Sequence, residues 1–413
     1  MKIAIVSPYP PSKGTLNEYA HHLVAALRHK PEVTEITVLT DFIDESYSDA
    51  NSDEGCPVIL LPCWKFNDPL NFLKINRKLK ALDADVVLYN IQFMSFGDNK
   101  IAGALGLMAP LVSRVLGTPA ITLLHNITEL VDYRSAGITN NRLLMKVYDL
   151  IGTLLTLLLL MSNALVVTMP KYVRILEKKY KAKNVVLIPH GTFDVPLVPT
   201  KQASDGLNVM TFGKFGTYKK VEKMIEAVEL VRLRTGMKID VTIAGTDNPN
   251  AKGYLKKVQK EYAHINGVNY TGYVEEEDVP GLFSSSDVVV FPYTSTTGSS
   301  GVLHQAGSYS RAVVLPHIGD LKELTEEEGY RGEYFAPDSV AELADAIERL
   351  LVDEQYRAEM GAINHAASCG LPMADMADWY LMHMHGLTEA STSSHPQPYT
   401  DSRVSSSEAL MVG

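Results

Sequence analysis

Four short stretches of this 413-residue chain combine glycine, small hydroxyl residues, lysine and histidine in ways that suit phosphate or sugar chemistry. The first is GKFGTYKK, where Lys214 and Lys219 flank a glycine-containing turn and Lys220 follows directly. Cations at a helix start oppose the macrodipole, so they add little to stability there. Two ammonium groups five residues apart can clamp a diphosphate and neutralise it as it departs. Solvated lysines at a helix start are the plain alternative. The second stretch is TTGSSGVLHQ. Thr297, Gly298, Ser299, Ser300 and Gly301 offer amide and hydroxyl donors to an anion at the mouth of a helix, and Gln305 lies on its first turns. A well-capped loop would carry the same residues. The third, PYPPSKGTLNEYAHHL, places Gly14 between a strand and a helix, where the backbone can approach a ligand closely. It lacks GxGxxG and reads equally as a simple turn. The fourth, LLHNIT, puts His125 at the end of an apolar run. A histidine there can donate to a phosphate or sugar hydroxyl, or serve as a cap or core residue.

These stretches need strands and helices to position them. KIAIVS, EITVLT, DVVLYN, AITLLH and ALVVTM read as buried strands separated by segments of helical length. The pattern restarts with LNVMTF (207–212) and continues through the amphipathic KKVEKMIEAVELVRLR, then IDVTIAG, VNYTGY, DVVVFPY and AVVLP. Such alternation predicts parallel α/β sheets. The Pro- and Gly-rich stretch 189–206 reads as a linker. The expected organisation is one Rossmann-like domain over 1–192, a second over 193–370, a helix over 371–388 packing back on the first, and a Ser/Pro/Thr-rich tail over 389–413 expected to be disordered. Ligands of open α/β sheets bind beyond the carboxyl ends of strands, where all four stretches fall.

Composition narrows the partners. Apolar residues at 46% and charged residues at 21% fit a globular chain with a large core. The net charge of −10 argues against nucleic acid as a partner. None of the three cysteines forms a CxxC pair or sits with a histidine cluster, which fits a reducing compartment without a zinc site. No carboxylates or histidines stand at metal-binding spacing. MKIAIVSPYPP does not read as a signal peptide, so a cytoplasmic protein is expected. Residues 150–167 carry no charge and reach the lower limit of a membrane span, but Ser162 and Asn163 break the run. The expectation is a buried helix followed by a buried strand. Two apolar segments, 101–117 and 143–160, flanked by Arg114, Arg142 and Lys146, point to peripheral contact with the inner membrane face.

Taken in order, the four stretches resemble the family-4 retaining glycosyltransferases of the GT-B fold, over roughly residues 1–365 and most strongly from Val209 to Leu351. MTFGKFGTYKKVEKMIEAVELV is similar to the family's Gly-Arg-x…Lys-Gly segment, with Lys214 in the Arg place and Lys219 in the Lys place. VLIPHGTF is similar to its Pro-His-Gly turn. Two positions depart: the family's Glu-seven residues-Glu pair falls on Thr297 and Gln305, and its N-terminal Gly-Gly on Gly14 and Thr15. The resemblance implies two Rossmann-like domains facing across a cleft. It implies transfer of a sugar from a nucleotide diphosphate donor to an acceptor hydroxyl with retention, in polysaccharide or glycolipid synthesis, without metal or other cofactor. Lys214 and Lys219 would stabilise the diphosphate, the 298–301 backbone would hold phosphate or sugar, and Gln305 the ribose. His125 would touch the sugar or its phosphate, and the N-terminal domain would take a glycan or lipid-linked acceptor. Two other readings stay open: a different GT-B enzyme such as a nucleotide-sugar epimerase and, suggested by the missing glutamates, a catalytically silent nucleotide-sugar binder.

Overall fold

The computed structural model describes residues 1–12, 14–42, 54–131, 134, 139–193, 195–196, 206–295 and 298–393. Two parallel sheets divide the chain. The first contains β1 (Lys2–Val6), β2 (Glu35–Asp41), β3 (Val58–Trp64), β4 (Val86–Ile91), β5 (Ala120–Leu124), β6 (Ala164–Val167) and β7 (Val185–Leu187), in the order β3-β2-β1-β4-β5-β6-β7. The second contains β8 (Leu207–Phe215), β9 (Ile239–Asp247), β10 (Val268–Gly272), β11 (Val288–Val290), β12 (Ala312–Pro316) and β13 (Glu333–Phe335), in the order β10-β9-β8-β11-β12-β13. The central strands are apolar without alternation because helices cover both faces: all six residues of β4 and all five of β12 are buried. In each sheet the order reverses once, between β1 and β4 and between β8 and β11. A reversal opens a crevice at the strands' carboxyl ends, and the two crevices face one another as the interdomain cleft.

The chain crosses between domains twice, and the crossings lie side by side. Thr192 N–H donates to Leu371 O at 2.7 Å, and Met373 N–H donates to Thr192 O at 2.9 Å. The last helix, Met373–Ser393, then packs on helix Asn17–Arg28 of the first domain. Met376, Tyr380 and Met384 join the core formed by Ile3, Leu23 and Leu88. The helix runs to Ser393, past the expected end at 388 and into the expected tail, and Met376, Tyr380 and Met384 give it the buried face by which it docks. Residues 394–413 lie outside the described residues.

The expectation of a buried helix before β6 is overturned. Helix Arg142–Leu159, capped by Asn141 Oδ1 accepting from Leu143 N–H at 2.9 Å, buries Gly152, Thr156 and Leu159. Leu143 is 71%, Leu150 61% and Leu154 57% exposed. The reason is the small-residue stripe. A Cβ on Gly152 would lie 2.8 Å from Thr128 Oγ1, so the helix approaches the domain through its smallest side chains and leaves the leucines outside. The strand ALVV that follows is fully buried, as expected. Among the described residues no helix is long and apolar enough to cross a membrane.

Candidate active site

The second domain presents its cations where the strand order reverses. Gly213, near the end of β8, adopts φ 136°, and a Cβ there would meet Lys219 Nζ at 2.6 Å. The Lys219 side chain thus folds back across the strand end. Its backbone pairs with Tyr293, just beyond β11, and its Nζ sits 4.6 Å from the Tyr293 ring centroid, a cation–π contact across the crevice. Among the described residues neither Lys214 nor Lys219 pairs with a carboxylate. Burial, with Lys214 adding to it, pushes the Lys219 ammonium down to about 8, and burial also lowers Lys214. Two cations held together without a counter-ion favour an anion between them. Lys220 is turned aside and donates to Gly216 O at 3.1 Å. The sign of the Lys219 shift makes a prediction. Affinity for a nucleoside diphosphate should fall as pH rises through about 8 and Lys219 loses its proton. Calorimetry at pH 7 and pH 9 checks this, and Lys219→Arg should flatten the profile because a guanidinium stays charged.

The glycine loop beyond β11 leans on the first domain. Thr297 lies outside the described residues. Gly298 has φ 94°, and a Cβ there would come within 2.8 Å of His125 O, so both the conformation and the space require glycine. Its N–H donates to Asp320 Oδ2 at 3.0 Å. The buried Asp320 carboxylate also accepts from Tyr172 Oη at 2.7 Å and Lys171 Nζ at 3.1 Å. An amide suited to a ligand anion is here held by the protein's own carboxylate. Ser299 Oγ donates to Thr168 Oγ1 at 3.2 Å. Ser300 caps helix Gly301–Ser308 by accepting from Leu303 N–H at 3.4 Å, and Gly301 packs against the His190 ring. Gln305 Nε2 donates to Glu18 Oε1 at 2.6 Å, across the cleft.

On the facing side one asparagine ties three strand ends together. Asn90 Nδ2, at the end of β4, donates to Ser7 Oγ beyond β1 at 2.9 Å and to Leu16 O of the glycine loop at 3.3 Å. Its Oδ1 is thereby aimed at His125 Nε2, 2.6 Å away. His125 must carry its proton on Nε2 to donate there. Burial, helped by His190, drives its pKa down to about 3, so the ring is neutral. A neutral ring with Nε2 committed leaves Nδ1 as an acceptor, which suits a sugar hydroxyl and not a phosphate oxygen. Gly14 donates its N–H to Ser12 Oγ at 3.2 Å, and a Cβ there would strike Pro8 at 2.7 Å.

The structure therefore brings Lys214 and Lys219 to the end of β8. It brings Gly298, Ser299, Ser300, Gly301 and Gln305 to the loop and helix after β11, and His125 and Gly14 to the opposite wall. A cavity of about 580 Å³ opens beside Gln305, lined also by His22, Phe193, Glu276 and Tyr309; the two lysines do not line it. Among the described residues no group of three or more His, Cys, Asp or Glu is placed to hold a metal ion. Sequence reasoning missed Asn90, Glu18 and Asp320. Asn90 carried a signal, a polar residue ending the apolar run DVVLYN. Glu18 and Asp320 sit in ordinary polar helix starts and gain meaning only from residues that lie far off in sequence.

Residues 206–353 match the family described as Glycosyl transferases group 1. Over 154 residues the chain is 32% identical to an alpha-D-kanosaminyltransferase of Streptomyces kanamyceticus, a match spanning 37% of this chain and 38% of that protein. Similar solved structures include a sucrose-phosphate synthase of Thermosynechococcus elongatus, with TM-score 0.71, 17% identity, and coverage of 94% of this chain and 100% of that one. HepE of Anabaena in complex with UDP and glucose has TM-score 0.67 and 16% identity, covering 93% and 99%. At these identities the structures speak for the fold. The chain has the GT-B fold, two Rossmann-like domains across a cleft, and its second domain matches the group 1 glycosyl transferases.

Proposed function

We propose that this protein transfers a sugar from a nucleoside diphosphate sugar to an acceptor hydroxyl, with retention at the anomeric carbon. The observation that carries the reading is the pair Lys214 and Lys219, which no carboxylate partners among the described residues, at the crevice of the matched domain. As the bond from the anomeric carbon to the diphosphate breaks, charge develops on the leaving oxygen, and preorganised cations stabilise it. In this reading the lysines do the work that a divalent ion does elsewhere, and no cofactor is required. The 298–301 loop adds amide and hydroxyl donors once Gly298 exchanges Asp320 for phosphate. Neutral His125 accepts from a hydroxyl of the transferred sugar, and Gln305 meets the ribose. Support for the donor class comes from relatives whose names concern sugar transfer and from the UDP-glucose complex of HepE. The test is incubation with a panel of UDP-, GDP-, ADP- and dTDP-sugars and candidate glycans, scoring diphosphate release and, by NMR, the anomer formed. Transfer should persist in EDTA; loss restored by Mg²⁺ or Mn²⁺ would show that the lysines do not suffice.

A silent nucleotide-sugar binder is the second reading, favoured by Thr297 and Gln305 in place of glutamates and by the Asp320 carboxylate on the Gly298 amide. Binding of a nucleotide sugar without transfer or hydrolysis would establish it.

The acceptor, in our reading, is a glycan or a lipid-linked sugar for polysaccharide or glycolipid synthesis, met at the cytoplasmic membrane surface. The outward leucines of helix Arg142–Leu159, with Ile101 70% and Val115 75% exposed on neighbouring helices, form an apolar face on the acceptor domain. Arg142 and Lys146 stand beside it. The protein should co-sediment with anionic liposomes at low salt, and Leu150→Glu together with Leu154→Glu should release it. Wild-type protein that stays in the supernatant would sink the membrane part alone.

A further inference from the structure

Helix Asn17–Arg28 forms part of the first domain's wall of the cleft and sends two side chains, one turn apart, to the other domain. Glu18 Oε1 accepts from Gln305 Nε2 at 2.6 Å, and His22 Nε2 lies 3.1 Å from Glu276 Oε1. Glu18 is an unusual residue to place there. No Lys or Arg pairs with it among the described residues, and it is half-buried. Burial first and Glu276 second push its carboxyl up to about 7, opposed by His22 and the Gln305 hydrogen bond. A carboxylate drawn out of water with acceptor capacity unfilled is costly unless donors complete it. Among the described residues one side-chain donor reaches it, from Gln305. Gln305 in turn lines the cavity in the cleft, and its Oε1 remains an acceptor.

The ligand group that fits a carboxylate oxygen beside an amide oxygen is a vicinal diol, which brings two O–H donors a short distance apart. Carboxylates commonly recognise ribose by accepting from its 2′-hydroxyl. We propose that Glu18, reaching across from the opposite domain, shares the donor's ribose diol with Gln305 and makes the site selective for ribonucleoside over 2′-deoxyribonucleoside diphosphates. The inference rests on the nucleotide-sugar reading above. It means that the carboxylate missing from position 305 is supplied by the acceptor domain. The ribose site is then complete only when the domains are together, so donor binding favours the closed cleft.

The experiment is calorimetric titration of the full chain with matched pairs, UDP and 2′-deoxy-UDP, GDP and 2′-deoxy-GDP, ADP and 2′-deoxy-ADP. The same titrations follow for Glu18→Gln, which preserves size and can still hydrogen-bond Gln305. Wild type should prefer the ribo form of its base by tenfold or more. Glu18→Gln should shrink that preference to within about threefold while leaving the melting temperature near wild type. Glu18→Ala gives a second route should the glutamine mimic the carboxylate. A preference that survives both substitutions overturns the proposal and leaves the nucleotide reading standing. If no nucleoside diphosphate of any base binds wild type, both fall together.

Discussion

Replacing Lys214 and Lys219 together by alanine should weaken nucleoside diphosphate binding by about a hundredfold or more and lower turnover at least as far. Each lysine is expected to make a charge-assisted contact worth about 1.5–3 kcal/mol, or roughly 10- to 150-fold in affinity. The two sit close enough that their effects will not add simply. Removing one also relieves its repulsion on the other: burial and Lys214 both depress Lys219, so Lys214→Ala should raise the remaining lysine's pKa and soften the single-mutant loss. The expected pattern is therefore two moderate single losses and a double loss on the order of a hundredfold or more. The effect on kcat should exceed the effect on the donor KM, since the leaving group carries more charge in the transition state than in the bound donor. Singles and double with unchanged affinity by calorimetry would remove the diphosphate clamp and with it the main support for the proposed reaction.

Replacing Asp320 by alanine should be among the most damaging changes to stability in the cleft. Its buried carboxylate holds Gly298 N–H, Tyr172 Oη and Lys171 Nζ at 3.0, 2.7 and 3.1 Å. Truncation strands the buried Tyr172 hydroxyl and the Gly298 amide and leaves Lys171 to Glu323 alone, at 2.9 Å; each orphaned donor costs about 1–3 kcal/mol. For domains near 200 residues that corresponds to a fall of roughly 10 °C in melting temperature. Asp320→Asn keeps acceptors for the amide and hydroxyl but gives up the charge facing Lys171, and should cost less than half as much. Differential scanning calorimetry of the two variants decides. An alanine variant melting within about 2 °C of wild type would mean that the network is not a structural tie between the domains. The glycine loop would then be held by its own backbone.

The α/β architecture was legible because its signals are local. Central strands of a doubly covered sheet are continuous apolar runs, and runs such as DVVLYN, AITLLH and DVVVFPY can be read without knowing their neighbours. The lysine pair was legible for a related reason. Cations beside a helix start are out of keeping with the helix dipole, so Lys214 and Lys219 stood out from sequence spacing alone. Gly298 stood out as part of a Gly/Ser/Thr loop opening a helix, although its actual constraint, a φ of 94° with His125 O behind it, is a fact of tertiary structure.

What the chain's order alone could not decide was which groups meet across the cleft and which faces remain outside. Glu18 and Gln305 are 287 positions apart, and Tyr172 and Asp320 are 148 apart. Nothing in either local sequence specifies the partner, because the approach of two rigid domains sets it. The leucines of 143–160 are as apolar as any core segment. Whether they lie inside depended on Gly152 and Thr156, small residues that set the helix face turned to the domain and left Leu143, Leu150 and Leu154 in the open. The sequence determined two parallel α/β domains and a turn that carries two lysines. The tertiary structure decided that His125 is neutral, that Asp320 occupies the loop amide, and that a carboxylate from the first domain faces Gln305. Hydrophobic patterning acts between neighbours in the chain, while desolvation and hydrogen-bond pairing depend on what folding brings together in space.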